Sequence, residues 1–189
     1  MILGDESPGK GDEVEVRKSL ALGGVVLLFV RPLAFANELS SPWEPVLKSW
    51  PPRLKHDAQM LANSSPEVWS GLSYGVRETL SANLKILIGM LELSLTQLQL
   101  YDSTASLRRS GISEDKVQAA KEMLEGGIAK MRASLSQTEG DLKALKSALQ
   151  AQATHSTRSV LPVHEDMAQT VTLLQSFETT LERSLVSLQ

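Results

Sequence analysis

The sequence predicts an all-α fold: an antiparallel bundle of three long helices running up-down-up, preceded by a proline-rich arm with a short N-terminal helix. Three observations carry this reading. In LKILIGMLELSLTQLQL, Leu84, Leu87, Leu91, Leu95 and Leu98 fall on one helical stripe, while Ile86, Ile88, Met90, Leu93 and Leu100 make the other sides apolar too. A helix that is apolar nearly all round needs more than one neighbour to cover it. Downstream, Val117, Ala120, Leu124, Ile128, Met131, Leu135, Thr138, Leu142, Leu145 and Leu149 form a heptad seam. No stretch alternates as a strand does, and no solenoid-length repeat occurs.

Taken in order, residues 1–36 read as an N-terminal extension and secretory signal peptide. Arg17 and Lys18 precede the apolar run from Ser19 to Val30, and Pro32 and Ala34-Phe35-Ala36 follow, which places cleavage after Ala36. The run is shorter than the roughly 20 residues that span a bilayer. Gly4, Gly9 and Lys10 match part of a phosphate-binding loop, but Gly11 stands where its Ser or Thr belongs, and no strand precedes it.

Residues 37–64 read as the proline-rich arm. Pro42, Pro45, Pro51 and Pro52 argue against a long helix, Trp43 and Trp50 serve as anchors onto the bundle, and Arg53 to Leu61 forms the short helix. Asn63-Ser64-Ser65 is a glycosylation sequon spoiled by Pro66.

Residues 65–189 hold the bundle, with helices expected at about 65–110, 113–156 and 163–189. Ser65-Pro66-Glu67 supplies a cap, a first-turn proline and an acid, and Gly111 stops that helix. Ser113 caps the next helix, with Ile112 and Val117 as a hydrophobic staple and Glu114 and Asp115 in the first turn. The same cap accounts for the S-x-x-K match of Ser113 and Lys116. Pro162 marks the last break, after which Met167, Val171, Leu174, Phe177, Leu181, Leu185 and Leu188 share one face. With equal rise on both helices, Leu98 should face Leu124, Leu91 should face Met131, Leu87 should face Leu135, and Leu80 should face Leu142. A last helix folding back at Pro162 should set Leu174 near Leu145, Leu181 near Thr138 and Leu188 near Met131.

The chemistry-bearing residues are sparse. The absence of cysteine excludes disulfides and thiolate chemistry. A net charge of −3 and 4% aromatic residues argue against a nucleic-acid partner. His56, His155 and His164 lack metal-binding spacing and read as exposed loop groups, and the carboxylates read as solvent-face residues. No enzyme activity, cofactor or metal is therefore expected. The leading functional reading is an exported helical bundle that binds another protein or a second copy of itself. A lipid- or membrane-active protein is the first alternative, and a small-ligand binder using the bundle interior is the second. The partner or membrane surface is placed at the hairpin tip, on Leu93, Leu95, Leu98, Leu100, Tyr101, Met123 and Leu124. There the last helix is expected to stop short and leave apolar surface bare.

Overall fold

The structure, a computed structural model, describes residues 39–64, 72–111, 113–151 and 155–188. These belong to one unit, Ala36–Gln189; the other unit, Met1–Phe35, lies outside the described residues, and so do the signal-peptide and glycine-loop readings. Among the described residues the chain is all-helical, with four helices and no strand: α1 Ser40–Asn63, α2 Tyr74–Arg109, α3 Glu114–Ala151 and α4 His155–Val186.

Helix α1 corrects the arm. Its 24 residues run unbroken through Pro45, Pro51 and Pro52. An interior proline forfeits a backbone hydrogen bond and costs about 3 kcal/mol, yet α1 buries Trp43, Leu47, Pro51, Leu54 and Leu61 along one face. Each large side chain returns roughly 1.5–3 kcal/mol, so the buried stripe outweighs the local penalty. Pro45 and Pro52 sit on the exposed side, where water can serve the released carbonyls. Trp43 does anchor this segment, meeting Phe177 of α4 edge-on with ring centroids 5.4 Å apart. Trp50 carries the Arg53 guanidinium 5.1 Å above its ring.

Helix α2 starts later than the sequence suggests. Ser73, in an extended conformation, caps it by accepting from the Val76 N–H at 3.4 Å; residues 65–71 lie outside the described set. Its end matches the expectation. Arg108 and Arg109 occupy the last turn, where cations favour the helix dipole, and Gly111 takes φ +66°, a conformation that suits glycine. In α3 every expected seam residue is buried except Ala120, which is half-buried.

The α2–α3 hairpin is antiparallel and lies within a turn of the expected register. Ser94 Oγ is 3.4 Å from Met131 Sδ, and a Cβ added at Gly127 would run into the Gln97 amide. All eight leucine and methionine side chains of the expected facing pairs are buried. Helix α4 departs from expectation. It begins at His155 and passes through Pro162 without a break, so the turn falls earlier and α4 slides along α3. Gln175 donates to Glu139 at 3.1 Å and Arg132 donates to Glu178 at 2.6 Å. The pairings of Leu174 with Leu145, Leu181 with Thr138 and Leu188 with Met131 are therefore displaced by more than a turn. The expected inner face of α4, from Met167 to Leu188, is buried throughout.

The helices run up-down-up-down. Ser40 hydrogen-bonds Asp102 and Lys55 pairs with Glu92, so α1 lies antiparallel to α2. Tyr101 Oη donates to the Ser184 carbonyl at 3.5 Å and Arg108 to the Ser187 carbonyl at 3.3 Å, so α4 runs parallel to α2. Helix α2 touches all three of the others. The tip is consequently closed on two sides, by the start of α1 and the end of α4.

Two outcomes follow for stability. Leu87→Ala should cost about 2–5 kcal/mol in urea unfolding, whereas Ile86→Ala, its exposed neighbour, should change stability of the isolated chain by about 0.5 kcal/mol or less. Gln97 is buried with both amide atoms unpartnered; Gln97→Met should raise stability by about 1 kcal/mol, by removing polar atoms that folding strips of water.

Candidate interaction surface

Among the described residues six large apolar side chains are exposed; Met60, Tyr74 and Val186 lie at helix ends, and the other three lie on the α2–α3 hairpin. Ile86 and Leu93 are each 42% exposed on α2, and Met123 is 69% exposed on α3. Gly89 and Thr96 are also exposed between and beyond the two α2 residues, and Leu100 is half-buried. The α2–α3 register places Met123 level with Leu100. Together they form one apolar band on the outward side of the hairpin, flanked on the α1 side by Lys85, Glu92 and Gln99.

The expected tip residues divide accordingly. Leu98, Tyr101 and Leu124 are core, at 1%, 1% and 0% exposure. Leu98 and Leu124 fill the hairpin seam, and Tyr101 turns inward to the end of α4. They are corrected out of the surface, because α1 and α4 cover the side of the tip that the sequence reading leaves open. Leu95 and Leu100 are half-buried against the core cluster. Leu93 and Met123 remain on the surface. Ile86 and Gly89 belong to the same band and escaped the sequence reading. Their signal was present: they continue the Leu93–Leu100 spacing toward the N-terminus along a face opposite the leucine stripe.

Buried polar groups lie elsewhere, and they correct two expectations. His164 is not an exposed loop group. It lies in α4, buried, with Nε2 2.8 Å from the Leu142 carbonyl oxygen, which assigns the proton to Nε2. Nor are all carboxylates on solvent faces: Glu178 and Asp57 are buried. Glu178 is held by Arg132, which also reaches Glu182 at 3.0 Å; hydrogen bonding and charge from the two acids raise the guanidinium pKa.

Asp57 sits where α1 meets α4, beside Asp166 and within the field of Arg53 and His56. Burial pushes its carboxyl up to about 6, the Asp166 charge and hydrogen bond add to this, and Arg53 and His56 oppose it. Arg53 is itself bound to Asp166, its Nε donating at 2.6 Å. Among the described residues no group of three or more His, Asp or Glu could hold a metal ion, and no helix is long and apolar enough to cross a membrane. Shallow grooves lie at the ends of the bundle. One is lined by His56, Met60, Asn63 and Val160, and the other by Ile128, Arg132, Glu182 and Val186. Gln59 and Ser64 also line the first, and Lys121 and Glu125 the second. The chain matches no family model, no curated protein and no solved structure.

The Asp57 environment predicts a pH dependence. A carboxyl with a raised folded pKa is neutral in both states below the ordinary value of 3.8, so burial then carries no charge penalty. The penalty grows as pH rises from 3.8 to about 6, where the unfolded chain ionises first, and is complete above that. Asp57→Asn should therefore be more stable than the wild type at about pH 7.5, with the advantage fading by about pH 4, as read from urea unfolding at both values.

Proposed function

We propose that this chain is an exported, non-enzymatic helical bundle whose function is to bind another protein or a second copy of itself. The observation that carries this reading is the uncharged band of Ile86, Gly89, Leu93 and Met123 on the outward side of α2 and α3. Clustered apolar surface of this kind is a usual mark of an interaction site. Four helices, with α1 antiparallel along α2 and against α4, supply a rigid frame for it. Leu87, Leu91, Met131 and Leu135 fix the hairpin from behind, so the band is displayed without any rearrangement. Export is supported by the signal-like sequence from Arg17 to Ala36.

The test is affinity capture from the native extracellular or periplasmic fraction, comparing the wild type with a Leu93→Lys/Met123→Lys double variant. Both positions are exposed, so the variant should keep its helical circular dichroism. It should lose the protein, whether another chain or an untagged copy, that the wild type retains. Equal capture by the two proteins would defeat the reading.

A further inference from the structure

We infer that the outward face of α2 docks a second copy of this chain, antiparallel, about a two-fold axis beside Gly89. This rests on the interaction surface proposed above and names its occupant. The argument begins with spacing. Ala82, Ile86, Gly89, Leu93, Thr96, Leu100, Ser103 and Leu107 recur as a second heptad seam along α2, on the side away from its core leucines. None is charged. Ala82, Ile86, Gly89, Leu93, Thr96 and Ser103 are exposed, and Leu100 and Leu107 are half-buried.

Size alternates along this seam. Ile86, Leu93 and Leu100 are large, whereas Gly75, Ala82 and Gly89 are small. A parallel partner would set large on large and leave gaps between. An antiparallel partner places Ile86 over Gly89 of the second copy, Leu93 over its Ala82 and Leu100 over its Gly75. Ile86, Leu93 and Leu100 then each meet a recess. Among the described residues nothing packs closely on Gly89, where an added Cβ would meet nothing within 4 Å, as is also true of Gly126 and Gly140 on α3. Glycine lowers helix propensity in a helix interior, and at Gly89 its lack of a side chain leaves room for a backbone to approach from outside.

Charge selects the same register. Lys85 and Glu92 flank the seam one heptad apart, and Lys85 has no ion-pair partner among the described residues. In the antiparallel register Lys85 meets Glu92 of the second copy, the symmetry repeats the pair, and Glu78 comes opposite Gln99. A parallel partner would instead bring Lys85 and Glu92 to Met90 and Gln97, which are buried in their own core. Lys55 of α1 already touches Glu92 at 3.2 Å, which gives the carboxylate a cation within its own chain as well.

The full chain should show concentration-dependent dimerisation in analytical ultracentrifugation. Leu93→Lys should weaken it by about thirtyfold or more, the scale of losing one anchor at an interface. Gly89→Leu should weaken it comparably while leaving helix content unchanged or higher. Lys85→Glu and Glu92→Lys should each weaken association, and the double exchange should restore it. Because the chain has no cysteine, mixing Lys85→Cys with Glu92→Cys under oxidation should give the mixed disulfide in excess over either homodimer. A chain that stays monomeric to millimolar concentration overturns the inference, and so does a dimer indifferent to Leu93→Lys or a double exchange that fails to rescue. If the wild type is monomeric while the Leu93→Lys/Met123→Lys variant still loses a captured protein, the surface reading stands and only self-docking fails.

Discussion

Helix α2 is apolar on more sides than any one of the described helices covers, and the rest of the architecture answers to that constraint. Leu80, Leu84, Leu87, Leu91 and Leu98 must leave water together, and one partner helix shields only one stripe. Helix α3 takes one side through a continuous seam, α4 lies along the inner face, and α1 closes the third side. The unusual features of α1 follow from this position. Its prolines weaken it locally, but the segment is held by what it buries, with Trp43 against Phe177 and Leu47 and Leu54 fully enclosed. Its helical state is a product of tertiary packing more than of propensity.

That dependence explains what could be read from the sequence. The seam of α3, the inner face of α4 and the hairpin register were legible because they rest on side-chain period and a single glycine-terminated turn, which act locally. The helical state of α1 was not, since local rules weigh Pro45, Pro51 and Pro52 and ignore the α2 surface that rewards Leu47 and Leu54. The slide of α4 had the same origin. Pro162 reads as a boundary, yet buried Val160 and Val163 on either side of it carry the helix through, and moving the turn moves every α3–α4 pairing. The surface was half legible for a related reason. Where a helix is apolar all round, composition announces excess apolar area but not which side the neighbours occupy. The sequence reading puts both Leu93 and Leu98 on the tip surface, but Leu98 lies on the leucine stripe and is core, whereas Leu93 lies off it and is exposed.

The buried polar groups divide the bundle into seams of different character. Glu178 is compensated by Arg132 across α3 and α4, and His164 finds a carbonyl on α3. Asp57 faces another acid where α1 meets α4, with one carboxylate oxygen lacking a hydrogen bond. Gln97, between α2 and α3, is accommodated sterically by Gly127 but not electrostatically. Burying a polar atom without a partner forfeits its hydrogen bonds to water and gains none in return. The α1–α4 seam thus varies in strength with protonation, as does the α1–α2 contact, where burial and the Glu44 charge raise the Asp102 carboxyl, while the Gln97 penalty in the α2–α3 hairpin is independent of pH.

The outward face of α2 is the place where the isolated fold and the sequence part company. Lysine or glutamate at Ile86 and Leu93 would disturb no core contact and would improve helix propensity and solubility. Serine, threonine and glycine at 103, 96 and 89 are poorer helix formers than the residues they exclude. Nothing in the packing of α1, α3 or α4 calls for them, whereas each choice is accounted for by a close helix crossing from outside. Core and docking face also share one helix. Folding of the chain completes the second seam in its final geometry, because the same turns that bury Leu87 and Leu91 set Ile86 and Leu93 outward. Binding on this face would need no ordering of a loose segment, which removes one of the costs of association and leaves the loss of translational and rotational freedom, side-chain ordering and desolvation of the flanking charges for the apolar seam to offset.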